Sequence, residues 1–146
     1  MIEPSAVLPV VVLDTSVVIK WYRQGEVLAD PALALRDLYL DGRVTLAAPA
    51  LLAYEFSNVL CYKQEFGTED IQEAVERLYK MRLEWVSPSS ALICRAIEIA
   101  RTHETTVYDA SFVALAEALD ATFVTADARL VHQLSSHSHV RFLGDL

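Results

Sequence analysis

Cysteine is scarce here: Cys61 and Cys94 are the only two in 146 residues. Each falls inside an apolar helical pattern, where a free thiol behaves as a small hydrophobe, so neither a disulfide framework nor a cysteine-ligated metal is expected. Long hydrophobic runs are also missing. The hydrophobic fraction is 53% and the mean hydropathy +0.29, yet the apolar residues come in short blocks broken by charge, Gly and Pro. None approaches the roughly 18 to 20 residues needed to span a bilayer. Met1 to Pro9 has no cationic segment ahead of its apolar stretch and no small-residue cleavage pattern, so it does not read as a signal peptide, and a cytoplasmic protein is expected. Positive charge is in deficit, with twelve Lys and Arg against twenty Asp and Glu and a formal net charge of −8. That balance excludes a protein that holds nucleic acid by general attraction, because such binding depends on Lys and Arg neutralising phosphates. A nucleic-acid substrate would require metal ions and a few local bases to offset the field.

What is present reads as one domain spanning residues 1–146, a common size for a single core. Val10 to Leu13 is a β-branched and aliphatic run of the kind buried on both faces of a parallel sheet. Asp14, Thr15 and Ser16 follow as helix-capping types, and Val17 to Tyr22 reads as a short helix carrying Lys20. Asp30 is expected to cap a second helix, with Pro31 in its first turn and a stop at Asp41-Gly42. Val44 to Ala47 reads as a strand. The three- and four-residue apolar repeat from Pro49 reads as a buried helix ending near Gly67. Thr68-Glu69-Asp70 opens the next helix, with Ile71, Val75, Leu78 and Met81 as its stripe. Trp85-Val86 is a minor strand, and Ser87-Pro88-Ser89 starts a helix through Ala100. Asp109 to Leu119 is helical, Thr122 to Thr125 a strand, Asp127 to Leu134 a short helix, and Val140 to Leu143 a last strand. Strands alternate with helices and no hairpin dipeptide joins two strands. The expected fold is therefore α/β, three layers with a mostly parallel sheet of about four to five strands.

In such a fold, sites form beyond the carboxyl ends of the strands. Asp14 and Asp127 each follow directly on a strand-like segment and so stand at that rim; the bland alternative is that each only caps the next helix. Glu55 lies among Leu51, Leu52 and Val59 on an apolar face, where a carboxylate is costly unless paired or coordinating, although it can also snorkel to solvent or meet a Lys or Arg. Asp109 shares an inward stripe with Phe112, Val113 and Ala116, and equally sits in a first turn where the helix dipole favours an anion. Four acids at one sheet edge have a consequence. Carboxylates about 4 Å apart repel by roughly 4 kcal/mol per pair at an effective dielectric near 20, so the cluster needs protons or cations. Oxygen donors without Cys or His select Mg²⁺ or Mn²⁺, and hard ions suit phosphate chemistry.

The segments that carry these residues, Val-Leu-Asp-Thr-Ser at 12–16, Glu55 in its apolar helix, Tyr-Asp-Ala-Ser-Phe-Val-Ala-Leu-Ala at 108–116 and Phe-Val-Thr-Ala-Asp-Ala-Arg-Leu at 123–130, resemble the PIN-domain family in order and spacing. Within it they are similar to VapC-like toxins of toxin–antitoxin pairs, across nearly the whole chain. The resemblance implies a PIN-like fold and a Mg²⁺- or Mn²⁺-dependent endoribonuclease. In it Asp14, Glu55, Asp109 and Asp127 hold metal directly or through water, and an activated water attacks an RNA phosphodiester in line, leaving 5′-phosphate and 3′-hydroxyl ends. It assigns Ser16 to positioning the reacting water or phosphate and Thr125 to bracing the loop of Asp127. It also implies a homodimer and a small cognate antitoxin.

Lys20 and Arg129 are candidates to meet RNA phosphates, with local ion pairing or solvation as the alternative. Trp21 and Tyr22 could stack on a base or fill core. His132, His137 and His139 read as a solvated loop. A haloacid-dehalogenase-like phosphatase would need a second Asp where Ser16 stands. A receiver would need an acidic pair early and a Lys late. A catalytically inactive PIN-like module that binds RNA or protein is the alternative, and it predicts a degraded acidic set.

Overall fold

A computed structural model describes residues 7–23 and 25–146; the part of the Met1 to Pro9 signal-peptide reading that falls on residues 1–6 lies outside them. Five strands form one sheet: β1 (Val10–Leu13), β2 (Thr45–Pro49), β3 (Glu84–Val86), β4 (Thr122–Thr125) and β5 (Val140–Phe142). Their order is β3-β2-β1-β4-β5 and every neighbouring pair is parallel. Among the described residues seven α-helices accompany them: α1 (Thr15–Val18), α2 (Ala29–Leu40), α3 (Leu51–Cys61), α4 (Thr68–Lys80), α5 (Ser90–His103), α6 (Val107–Ala118) and α7 (Ala128–Gln133). The expected three-layer α/β architecture is what forms, with the sheet parallel throughout.

The apolar run of β1 occupies the central position, flanked by β2 and β4, and Val12 and Leu13 are fully buried. The chain leaves β1 towards β2 on one side and returns as β4 on the other. The carboxyl ends of β1 and β4 therefore bound the crevice that open parallel sheets offer to ligands. Helix α6 lies under it. Ala110 and the whole stretch Phe112 to Ala116 are buried, which is why this helix is apolar nearly all round, and Phe112 meets Phe123 of β4 at 5.7 Å between ring centroids. Helix α5 packs along α6, and Arg95 clamps the pair with a forked bond to Glu117 at 2.7 and 2.9 Å.

Several boundaries differ from those expected. The segment after β1 is one α-turn followed by a 3-10 turn, Ile19–Trp21. Helix α2 begins one residue before Asp30, so Leu28, in a left-handed conformation at φ 64°, stands at its N-cap and Asp30 lies in the first turn. Helix α3 stops at Cys61 instead of near Gly67. Its buried stripe is Leu52, Phe56 and Leu60, and the next position in that series, Gln64, is polar and removes the reason to continue. Gly67 caps α4, its N–H donating to the Asp70 carboxylate at 3.0 Å. Cys61 and Cys94 are free as expected but exposed, because the apolar pattern around Cys94 includes Ile93 and Ile97, which face outward. His132 is exposed on α7, whereas His137 and His139 are less solvated than expected. His137 is packed between His103 and His139, with Nε2 3.6 Å from Glu117, and His139 Nδ1 lies 2.8 Å from the Ala121 carbonyl.

Because Phe112 is fully enclosed and joins α6 to β4, Phe112→Ala should cost about 3–5 kcal/mol of unfolding free energy. Urea unfolding monitored by circular dichroism measures it; a loss under about 1 kcal/mol would mean this contact is not central to the core.

Candidate active site

Asp14 follows β1 immediately, and its backbone N–H extends the ladder to the Val124 carbonyl at 3.0 Å. It occupies the N-cap position of α1, yet its side chain makes no capping bond. Instead Oδ2 accepts two hydroxyls, from Ser16 at 2.6 Å and from Thr125 at 2.8 Å. Both hydroxyl hydrogens are thereby committed, and the 3.3 Å Ser16–Thr125 contact is left without one. The same two oxygens accept backbone N–H groups of the following loop, Ser16 Oγ from Ala126 at 2.9 Å and Thr125 Oγ1 from Asp127 at 3.1 Å. Thr125 thus braces the loop of Asp127, as expected, and Ser16 braces both Asp14 and that loop.

Asp14 is only 7% exposed, and Thr125 is fully buried. Burial pushes the Asp14 carboxyl above its ordinary range, against the opposing pull of the Ser16 and Thr125 hydroxyls. Glu55, half-buried on α3, is raised first by burial and then by the charges of Asp14 and Asp109, while a hydroxyl from Thr15 at 2.9 Å pulls the other way. Asp109, in the first turn of α6, is raised by burial, by Asp14 and by Asp127, with Thr106 opposing. The charges of Asp14 and Asp109 thus act on Glu55, and those of Asp14 and Asp127 on Asp109, so that acids from the end of β1, α3, α6 and the loop after β4 lie within electrostatic reach of one another. Among the described residues no Lys or Arg pairs with Asp14, Glu55 or Asp109. The capping alternative thus fails for Asp14. It holds for Asp127, which is exposed and whose Oδ1 accepts the N–H groups of Arg129 and Leu130 at 3.0 and 3.2 Å.

The two candidate cations are placed differently. Lys20 lies 3.7 Å from Glu26, a local ion pair. Arg129 is exposed on α7, two residues from Asp127. Trp21 and Tyr22 fill core: the indole N–H donates to the Ala32 carbonyl at 2.9 Å, and Tyr22 meets Phe56 edge-on at 5.1 Å. Thr15 was not singled out from the sequence, where it reads only as a capping type beside Asp14.

Among the described residues no three His, Cys, Asp or Glu side chains form a ready-made metal cage. Mg²⁺ does not need one, since it keeps several waters and takes one or two carboxylates directly. The donor set fits such an ion: it is oxygen only, bears uncompensated negative charge, and has Asp14 fixed through one oxygen.

A family model described as PIN domain matches residues 11–133. The chain belongs to the PIN-domain family. No curated protein matches it. Among solved structures it is similar to PAE2754 from Pyrobaculum aerophilum, at 22% identity and a TM-score of 0.65, over 94% of this chain and 91% of that one. It is similar to a toxin-antitoxin complex from Klebsiella pneumoniae, at 14% identity and 0.67, over 91% and 97%. VapBC2 from Rickettsia felis, bound to a DNA fragment from its promoter, matches at 17% identity and 0.68, over 91% and 96%. At these identities the likeness is one of fold.

The raised carboxyls carry a sign. Where a folded-state pKa exceeds the unfolded one, the folded chain binds more protons in the window between them, so metal-free stability falls as pH rises through that window. Thermal melts in chelator from pH 4 to pH 8 (~1 unit steps) should show Asp14→Asn melting at or above wild type at neutral pH, the gap closing on acidification. A variant that melts well below wild type at neutral pH would identify the carboxylate as a structural partner.

Proposed function

We propose that the chain is a divalent-metal-dependent endoribonuclease, acting in the cytoplasm as the toxin of a toxin–antitoxin pair. The observation that carries the reading is a buried Asp14 carboxylate, held by two hydroxyls at the sheet's crevice and electrostatically joined to Glu55 and Asp109, with no basic partner among the described residues. Family membership supports the nuclease half. The toxin half is supported by fold likeness to structures described as toxin–antitoxin complexes.

On this reading Asp14, Glu55, Asp109 and Asp127 hold one or two Mg²⁺ or Mn²⁺ ions directly or through water, and the ion supplies an activated nucleophile and neutralises phosphate charge. Ser16 and Thr125 keep Asp14 oriented, so little reorganisation is required when substrate arrives. Arg129 meets an RNA phosphate beside Asp127, and Lys20 does so only on leaving Glu26. The filled acidic set favours this over the RNA- or protein-binding module.

The decisive test is purified protein on end-labelled structured RNA with Mg²⁺ or Mn²⁺, beside chelator and Asp14→Asn controls. Discrete metal-dependent cuts that vanish in both controls are expected. A folded, inhibitor-free protein that cuts no RNA would leave the binding module as the better reading.

The homodimer and antitoxin are supported by an apolar groove of about 400 Å³ between α3, α5 and α6, lined by Tyr54, Ile93, Val107 and Tyr108. Exposed apolar surface of this kind marks a partner-binding face. Ile97, also exposed, continues it along α5. Light scattering should give a dimer mass for the isolated protein and a monomer mass for the Ile93→Glu, Ile97→Glu double variant. An unchanged mass would remove this face from the dimer.

A further inference from the structure

Thr15 stands between Asp14 and Ser16, which bonds the Asp14 carboxylate, and its own hydroxyl goes elsewhere. Oγ1 donates to Glu55 Oε1 at 2.9 Å, forty positions away in sequence. A Thr opening a helix ordinarily satisfies a backbone N–H of its own first turn or faces solvent. This one is 8% exposed and ties α1 to α3. Among the described residues no Lys or Arg reaches Glu55, and Thr15 is its only side-chain hydrogen-bond donor.

Glu55 needs such a tether. Its side chain is long and half-buried at the edge of the acidic group, and Asp14 and Asp109 both act on it as like charges. Repulsion favours rotation of the carboxylate outward to water, away from the other acids. A β-branched donor with few χ1 choices, fixed in a buried turn, opposes that rotation and engages one Glu55 oxygen, leaving the other without a side-chain donor. The tripeptide Asp14-Thr15-Ser16 thereby holds two acids at once: Ser16 holds the first residue of the tripeptide, and Thr15 holds a residue on another helix.

We propose that Thr15 is a positioning residue, holding Glu55 against the repulsion of its neighbours in the pose that receives a divalent cation; this rests on the nuclease reading above. The test is Mn²⁺ binding to metal-free protein without RNA, by calorimetry and by the loss of the free-ion electron paramagnetic resonance signal, for wild type, Thr15→Val and Thr15→Ser. RNA cleavage is titrated with Mn²⁺ in parallel. Thr15→Val should need about 10- to 100-fold more Mn²⁺ for half-saturation, the usual effect of removing a group that orients a ligand. Its melting in chelator should stay near that of wild type. Thr15→Ser, which keeps the hydroxyl, should recover most of the affinity. Wild-type Mn²⁺ affinity in Thr15→Val would overturn the proposal, and so would a loss in Thr15→Ser equal to that in Thr15→Val, which would show that keeping the hydroxyl does not hold Glu55 and that the shape of the buried side chain decides. Folded wild type that neither binds Mn²⁺ nor cuts RNA would overturn the nuclease reading and this proposal together, whereas binding shared by wild type and Thr15→Val overturns the positioning role alone.

Discussion

One carboxylate oxygen organises the crevice. Asp14 Oδ2 receives the hydroxyls of Ser16 and Thr125, and each of those hydroxyl oxygens receives a backbone N–H from the loop after β4. An isolated ionised carboxylate would be costly at 7% exposure. Two charge-assisted hydrogen bonds, stronger than neutral ones, offset part of that cost. In return the ends of β1 and β4 are locked together at the point where the chain's path across the sheet reverses. The position of Asp127 follows from this network: Thr125 orients its N–H, and its carboxylate then caps α7. Neither the loop nor the short helix has enough buried apolar surface of its own to fix that placement, with Leu130 the one buried residue of α7.

The network offsets desolvation but not mutual repulsion. Asp14, Glu55 and Asp109 are all raised, burial first in each case and neighbouring acids next for Glu55 and Asp109, so the folded chain gathers charges that the unfolded chain keeps apart. Local rules broken in this way, with no compensating ion pair among the described residues, are expected where a fold gives up stability for a site. Elsewhere the molecule follows those rules. Glu117 meets Arg95, Glu26 meets Arg23 and Lys20, and Glu73 meets Arg77 one turn along α4. Burial separates site from scaffold: Asp14, Glu55 and Asp109 are buried or half-buried without an ion pair among the described residues, whereas acids such as Asp30, Glu69 and Glu76 that lack one are exposed to water.

Much of this was legible in the sequence because β1 is a short, unbroken apolar run followed at once by a carboxylate, because β4 is a strand-like segment with Asp127 two residues beyond its end, and because Asp109 sits on a helix apolar enough to require burial. Glu55 was legible by the same conflict, a charge on an apolar face. What stayed hidden has physical reasons. Whether Asp14 caps a helix or accepts Ser16 and Thr125 depends on a contact 111 residues away, which no local pattern encodes. Thr15 looks like a capping residue until α3 is packed beside it. The ends of α2 and α3 were misjudged where a left-handed Leu28 and a polar Gln64 outweighed the simpler cues of Asp30 and Gly67. The apolar spacing of α5 does not by itself say which side is core: Ile93 and Ile97 belong to it but face outward, and Ala96, Ile99 and Ala100 supply the buried stripe.

The net charge of −8 then bears on how an anionic substrate could be held. Proteins that bind nucleic acid through many phosphate contacts lose affinity steeply with salt, because each neutralised phosphate releases counterions. In this chain Lys20, Arg23, Arg77 and Arg95 are engaged with the protein's own acids, while Arg129 is exposed beside the crevice with no ion pair among the described residues. On the nuclease reading, attraction is concentrated at the cations held by the acidic group. Repulsion from the rest of the surface then disfavours RNA that does not reach them. On that reading the same acids that are costly to gather would supply both the reaction centre and most of the discrimination between productive and unproductive contact.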